Sequence, residues 1–298
     1  MTRSADGSGS PAGDDPFLVA ASLSGAADAA WARAVADRVD VALLGGVALD
    51  PPSRAAARDL VSRGRDEFLP SDPVAFVAEQ LGALGGAPVR PGVNVRSATL
   101  EPVREAADVC ADRDAVCEVN AHCRQPELRA VGCGESLLRD PDRLARYVAA
   151  AAETGATTSV KVRAEVPGVD LVAVAERVAA AGADWLHVDA MDSEAVIADL
   201  AAAVEGGAVD ERGAAGDGES ADETDDGLAD LTLVANNGVR GRETVAEYAA
   251  HGADAVSVGR PTEDPPVLAR VAEAVKAWRS GALRERGGEA DPEPGASP

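Results

Sequence analysis

Lys161 and Arg163 stand two positions apart in a short apolar run, Ser159–Arg163, so an extended backbone aims both cations to one side. The same alternation puts Glu118 with Asn120 and His187 with Asp189. Lysine occurs only twice in the chain and histidine three times, so these placements carry information. Lys161 admits three roles: the amine of a Schiff base, a positive charge that tunes a bound cofactor, or a structural cation, the last costly without a partner. Cys123 follows Asn120 by three residues. A thiol there serves as proton donor to a substrate carbon, as a nucleophile activated by His122, or as an idle side chain. Cys133, between Gly132 and Gly134, competes for the same role, whereas Cys110 and Cys117 read as packing residues. A different chemistry is written near the end of the chain. Asn237 and Gly238, then Gly259 and Arg260, form two glycine-bearing turns. Glycine lets the backbone approach an anion, and a guanidinium pairs with phosphate through two parallel hydrogen bonds.

These residues need a scaffold that brings strand ends together. Eight strand-length apolar runs alternate with Ala-rich amphipathic stretches: Phe17–Leu23, Val39–Leu44, Val89–Val95, Ala115–Asn120, Ser159–Arg163, Trp185–Asp189, Leu231–Asn236 and Ala255–Val258. Near-continuous apolar runs fit parallel strands buried on both faces. Helical patterns at Ala27–Arg38, Pro141–Glu153, Leu171–Ala181 and Thr244–His251 separate them, and Gly155, Gly182 and Gly252 sit where left-handed caps belong. Eight such units predict a (β/α)₈ TIM barrel over residues 17–279. An open doubly wound sheet competes, but no Gly-x-Gly-x-x-Gly follows the first run. In a barrel the reacting groups gather at the C-terminal ends of the strands. Those ends hold Ser22, Asn94 with Arg96, Asn120 with His122 and Cys123, Lys161 with Arg163, His187 with Asp189, Asn236 to Gly238, and Gly259 with Arg260. Residues 51–84 contain two helical stretches, an extra element on the second unit.

Composition narrows the partners. The chain has 51 acidic and 28 basic residues and a formal net charge of −23. A lysine-poor acidic surface suits concentrated salt, a halophilic adaptation, and argues against a general nucleic-acid surface. The exception is residues 120–146, where Arg124, Arg129, Arg139, Arg143 and Arg146 face four acids. This stretch is read either as a rim for RNA phosphate or as salt-bridged helix surface. Residues 1–16 and 280–298 read as disordered segments, and residues 205–230, with ten acids and one arginine, as a solvated insertion on the N-terminal face. The four cysteines lack the spacing of a zinc site, so no metal is expected. No signal peptide or bilayer-spanning stretch is read, and the expected location is cytoplasmic.

Taken in order, these motifs resemble the flavin-dependent tRNA-dihydrouridine synthases. That family carries an acidic residue, Asn, Gly-Cys-Pro, a Gly-rich stretch, then Leu-Leu and Asp-Pro. Here Glu118, Asn120, His122, Cys123, Gly132 to Gly134, Leu137, Leu138, Asp140 and Pro141 stand in that order. Val160 to Arg163, His187, Asn237-Gly238 and Gly259-Arg260 match further family positions, over about Phe17 to Lys276. The resemblance implies FMN on the strand ends. Ser22 would line its site, Asn94, Lys161 and His187 would contact it, and Asn237, Gly238, Gly259 and Arg260 would hold its phosphate end. It implies Cys123 as the acid that protonates the uracil ring, with Asn120 and Arg163 positioning that base. It also implies a reduced nicotinamide as electron donor and tRNA as substrate. Three departures stand out. His122-Cys123-Arg124 replaces Gly-Cys-Pro, Ser22 replaces a proline, and the sequence is expected to lack the helical tRNA-binding domain of typical members. The alternative substrate is therefore a free pyrimidine or another small unsaturated ring. From a different class, a flavin-free aldolase built on Lys161 and a phosphate-binding barrel without catalysis are also carried.

Overall fold

The computed structural model describes residues 15–213, 228 and 230–283. Most of the lead-in, of the acidic insertion and of the C-terminal tail expected from the sequence lies outside these residues. Eight parallel strands close into a barrel in chain order, each hydrogen-bonded to the next and the eighth to the first. The first half runs β1 (Phe17–Ala20), α1 (Ala29–Val35), β2 (Val41–Ala48), α2 (Pro51–Ser62), α3 (Pro73–Ala83), β3 (Arg90–Arg96), α4 (Glu101–Ala111) and β4 (Val116–Asn120). Two short helices, α5 (Pro126–Ala130) and α6 (Glu135–Leu138), precede α7 (Pro141–Ala152). The second half runs β5 (Thr157–Arg163), α8 (Leu171–Ala179), β6 (Trp185–Asp189), α9 (Val196–Gly213), β7 (Thr232–Asn236), α10 (Arg242–Ala250), β8 (Ala255–Val258), a 3₁₀ turn (Arg260–Glu263) and α11 (Pro265–Arg279). The extra element of the second unit is the pair α2 and α3. No helix among the described residues is long and apolar enough to cross a membrane.

The helices start where the sequence offers a cap. Asp28, Asp50, Asp72, Asp140, Asp170 and Asp264 each accept a backbone N–H of the first turn, and proline stands within the first turn in four of those six helices. Each such cap contributes about 1 kcal/mol. Part of the acidic excess thus serves to start helices. Gly155, Gly182 and Gly252 take the left-handed backbone expected of them.

Strand alternation divides the interior into two cores. Outward-facing residues such as Leu18, Val93, Val119, Val160, Val162, Leu186 and Val256 pack against the helices. Inward-facing residues change character along the barrel axis. Phe17, Val19, Val41, Leu43, Val116, Trp185, Val234 and Ala255 fill its N-terminal half, with Phe17 and Trp185 rings 5.1 Å apart. Further along β3, β4, β5, β6 and β8 the inward positions become polar: Asn94, Glu118, Ser159, Lys161, His187 and Ser257, all buried. An apolar plug below and a polar layer above place any chemistry at the C-terminal mouth.

Candidate active site at the strand ends

The polar layer is a hydrogen-bond chain that crosses the barrel. Asn236 Nδ2 donates to Ser257 Oγ at 2.6 Å, and Ser257 Oγ lies 2.6 Å from His187 Nε2. His187 Nδ1 lies 2.6 Å from Glu118 Oε2, while Asn94 Nδ2 donates to Glu118 Oε1 at 2.7 Å. Asn120 Nδ2 donates to Asn94 Oδ1 at 2.9 Å, and Ser159 Oγ donates to Glu118 at 3.2 Å. Glu118 is entirely enclosed. Burial works against its charge, yet the His187 ring, the Lys161 ammonium and the Asn94 amide outweigh it and hold the carboxyl down at about 2. Burial, then the field of Lys161, lowers His187 below its ordinary value despite Glu118. A carboxylate only accepts, so the neutral ring must donate from Nδ1 and accept from Ser257 at Nε2. Every donor in the chain then points toward Glu118.

Lys161 lies in register between Asn120 on β4 and His187 on β6. It is 4% exposed and forms no hydrogen bond or ion pair with another described residue. Burial lowers its pKa, and Glu118 and then Asp189 oppose that fall. Arg163, two residues on, is also buried; it has one ion pair, to Glu135 at 3.5 Å, and its enclosed Nε has no partner. Two buried cations without hydrogen bonds face the mouth from one strand. Such groups are costly to leave unmatched and mark a place for an electron-rich ligand.

Cys123 lies on the loop after β4, half-buried against Ala56, Leu60, Leu128 and Cys133. Asn120 Oδ1 accepts the backbone N–H of Cys123 at 3.0 Å and of His122 at 3.3 Å. The Cys123 carbonyl accepts from the Glu135 N–H at 3.0 Å. Gly134 makes this approach possible: its φ is +60°, and a Cβ there would stand 2.3 Å from the Cys123 carbonyl oxygen. Cys123 is half-buried, whereas Cys133 is enclosed with Ala56, Leu60 and Leu128, and burial pushes its thiol up to about 12. Of the two thiols, Cys123 is the more accessible. Cys110 and Cys117 are buried packing residues. Burial and Lys161 hold His122 well below its ordinary value, so its ring is neutral.

The last two strands form the far side of the mouth. β7 pairs with β8, with Asn236 opposite Ser257, so the turns after them are neighbours. Asn237 and Gly238 both have positive φ, and the buried Tyr248 donates its hydroxyl to the Asn237 carbonyl at 2.9 Å. Thr262 fastens the turn after β8 through the Gly259 carbonyl, and Trp31 Nε1 donates to Thr262 at 3.2 Å. The N–H groups of Gly259 and Arg260 and the Arg260 guanidinium have no partner among the described residues, and Arg260 is exposed. A phosphate fits this donor set, and Lys161 fits a ring that gains negative charge on reduction.

Other expected site residues fall as follows. Ser22 lies just past β1, which ends at Ala20, on the rim rather than in the polar layer. Asn94 and His187 lie in that layer with their polar atoms engaged by protein partners. Of the arginine-rich stretch, Arg129 and Arg139 pair with Glu135, and Arg143 donates to the carbonyls of Gly132 and Ala98. Arg124 and Arg146 are exposed without ion pairs to described residues. Sequence reasoning missed Ser257 and Glu135. The signal for Ser257 was a polar residue at an inward position of an apolar strand. A cleft of about 280 Å³ lined by Leu18, Arg38, Asp40, Lys276 and Arg279 lies at the opposite end of the barrel, away from this site.

Comparison with known proteins adds a family. The family model described as dihydrouridine synthase matches residues 93–281. Uncharacterized protein MJ0144 of Methanocaldococcus jannaschii is 27% identical over 151 residues, which cover 50% of this chain and 58% of that protein. The match thus spans less than two thirds of that relative's length. Among solved structures, DHODH in complex with ferulenol from Eimeria tenella aligns with TM-score 0.56 at 12% identity, covering 90% of this chain and 83% of that one. A mutant of FabK from Thermotoga maritima aligns with TM-score 0.50 at 13% identity, covering 83% of this chain and 62% of that one. At such identities the two structures speak for the barrel fold.

Proposed function

We propose that this chain, which belongs to the dihydrouridine synthase family, is a flavin-dependent oxidoreductase, that its flavin is FMN and that it reduces the C5–C6 double bond of uridine in RNA. The observation that carries this reading is the pair of buried cations on β5, Lys161 without a hydrogen bond or ion pair to a described residue and Arg163 with one ion pair and an unpartnered Nε, at the same barrel mouth as the Cys123 loop and the turns after β7 and β8.

Gly238, Gly259 and Arg260 would hold the phosphate of FMN, with Asn237 shaping the turn and Ser22 at the rim, and Asn94, Lys161 and His187 would contact the rest of the cofactor. When bound and reduced, by a reduced nicotinamide in this proposal, the flavin supplies hydride to one carbon of the uracil double bond. Cys123 Sγ–H gives a proton to the other carbon, and the resulting thiolate regains a proton from solvent, so two electrons and two protons balance. Asn120 and Arg163 position the uracil, and Asn120 also fixes the Cys123 backbone. The Glu118 carboxylate keeps Lys161 in a net attractive field. A lowered lysine pKa also suits a Schiff base, but family membership favours the charged role.

The test is mass-spectrometric measurement of dihydrouridine in tRNA from a strain lacking this gene, complemented with wild type or Cys123→Ala. The proposal expects loss at one or more sites, restored by wild type and not by Cys123→Ala. Unchanged dihydrouridine at every site would reject RNA as substrate and leave the free pyrimidine.

A further inference from the structure

We propose that Arg129 and Arg139, gathered with Arg163 around Glu135, form an anion subsite for a phosphate ester of the substrate, with Arg163 at its inner edge toward the base, distinct from the cofactor donors after β7 and β8. The inference deepens the uridine-reductase reading and rests on it for the identity of the base.

Three guanidiniums share one carboxylate. Glu135 Oε1 accepts from Arg139 Nε at 3.1 Å and Nη2 at 3.0 Å, and Arg129 Nε stands 3.8 Å from the same oxygen. Glu135 Oε2 lies 3.5 Å from Arg163 Nη1. The nearby acids do not balance the excess. Glu127 is taken by Arg63 at 2.9 Å, and Asp142 by Arg177. Glu165 accepts from Ser193 and the Asp192 N–H instead of pairing with an arginine. Asp189 stands opposite Arg163 on β6 but not within ion-pair distance. The cluster therefore keeps two uncompensated positive charges in a chain of net charge −23.

Burial gives the cluster a direction. The Arg163 side chain is 10% exposed and that of Glu135 8%, while Arg129 and Arg139 are 45% and 40% exposed. The inner cation has no hydrogen bond and the outer two reach solvent, so an arriving anion meets donors at both depths. Guanidinium is the side chain that recognises phosphate oxygens in pairs. The Glu135 N–H bonds the Cys123 carbonyl, which puts the cluster one residue contact from the thiol. A base at Cys123 and its own ribose phosphate at the arginines lie within reach of one nucleotide. Glu135 holds the three cations together before a ligand arrives, when they would otherwise repel one another.

The holoenzyme is the material for the test, because FMN then occupies the other anion donors. Affinities for uridine 3′-monophosphate and uridine are measured on wild type and on Arg129→Gln/Arg139→Gln. Wild type is expected to prefer the phosphorylated ligand by roughly tenfold or more, and the double variant to lose most of that preference. Equal affinities in wild type, or an undiminished preference in the variant, would overturn the proposal. Should the double variant fail to fold, Arg129→Gln alone removes the loosest contact and is expected to lower the ratio. Titration with inorganic phosphate followed by ³¹P NMR probes the cluster without a base. Broadening that wild type shows and the variant loses supports the subsite even if no uracil ligand binds, an outcome that would instead discard the uridine reading. No phosphate binding to wild type would discard the subsite.

Discussion

The carboxylate of Glu118 is the residue on which the polar layer turns. Its four neighbours, Asn94, Ser159, His187 and Lys161, either donate to it or carry a positive charge. Its pKa falls from an ordinary 4.5 to about 2 on folding. A carboxyl depressed in this way stabilises the fold above its unfolded value, and that stability fades as pH drops through the folded value. The contribution is on the order of 3 kcal/mol at neutral pH, lost between about pH 4.5 and pH 2. Glu118→Gln is expected to be less stable at pH 7 by a comparable amount and to show a flatter acid limb in denaturant titrations. The same substitution removes an attraction that raises the Lys161 pKa, so that pKa falls further. With Lys276 as the only other lysine, paired on the surface with Glu273, ¹⁵N-lysine NMR reads the change from two resolved signals. An unmoved Lys161 titration would contradict the role given to Glu118. At this scale the sequence was informative where residue type is rare: Lys161, His187 and Cys123 announced themselves. Glu135 did not, because a glutamate among loop residues looks like solvent-facing charge until three arginines are found around it.

Elements decide how close these residues come. β5 delivers Lys161 and Arg163 to one face, and its neighbours β4 and β6 bring Asn120 and His187 into register with Lys161. The loop from β4 to α7 has to fold back so that Glu135 meets Cys123, and Gly134 permits it. Gly134→Ala puts a methyl group 2.3 Å from a carbonyl oxygen at positive φ. Gly155→Ala, also at positive φ but with nothing within 4 Å, isolates the backbone cost. Both are expected to lose about 1 kcal/mol, and Gly134→Ala at least about 1–2 kcal/mol more from overpacking, by denaturant midpoint. Equal losses would mean that the loop shifts freely and does not hold Cys123. Seven of the eight strands were legible to within a few residues because buried parallel strands are apolar throughout. β2 runs on to Ala48, past the expected Leu44, because Gly45 and Gly46 interrupt the apolar run without ending the strand. α5 and α6 were not read at all, being too short for a helical period to show.

The whole molecule is an apolar-plugged barrel under a heavy negative charge. Each added salt increment screens that repulsion, and the Debye length shrinks from about 10 Å at 0.1 M to about 3 Å at 1 M. The melting temperature is expected to rise by several degrees between those KCl concentrations; a flat or falling Tm would remove the case for a salt-adapted surface. The closed topology was legible from the count of units and the absence of a dinucleotide turn, whereas the crossing of the barrel by one hydrogen-bond chain depends on register that no single run reveals. The central claim is that the turns after β7 and β8 bind the phosphate of a flavin whose ring lies over Lys161. Titrating flavin-free protein with FMN and with riboflavin, read by quenching of flavin fluorescence, tests it most directly. FMN is expected to bind at least about 100-fold tighter than riboflavin, with Arg260→Gln narrowing the gap by about tenfold or more. Equal binding of the two flavins, or no uptake of either, would contradict the account.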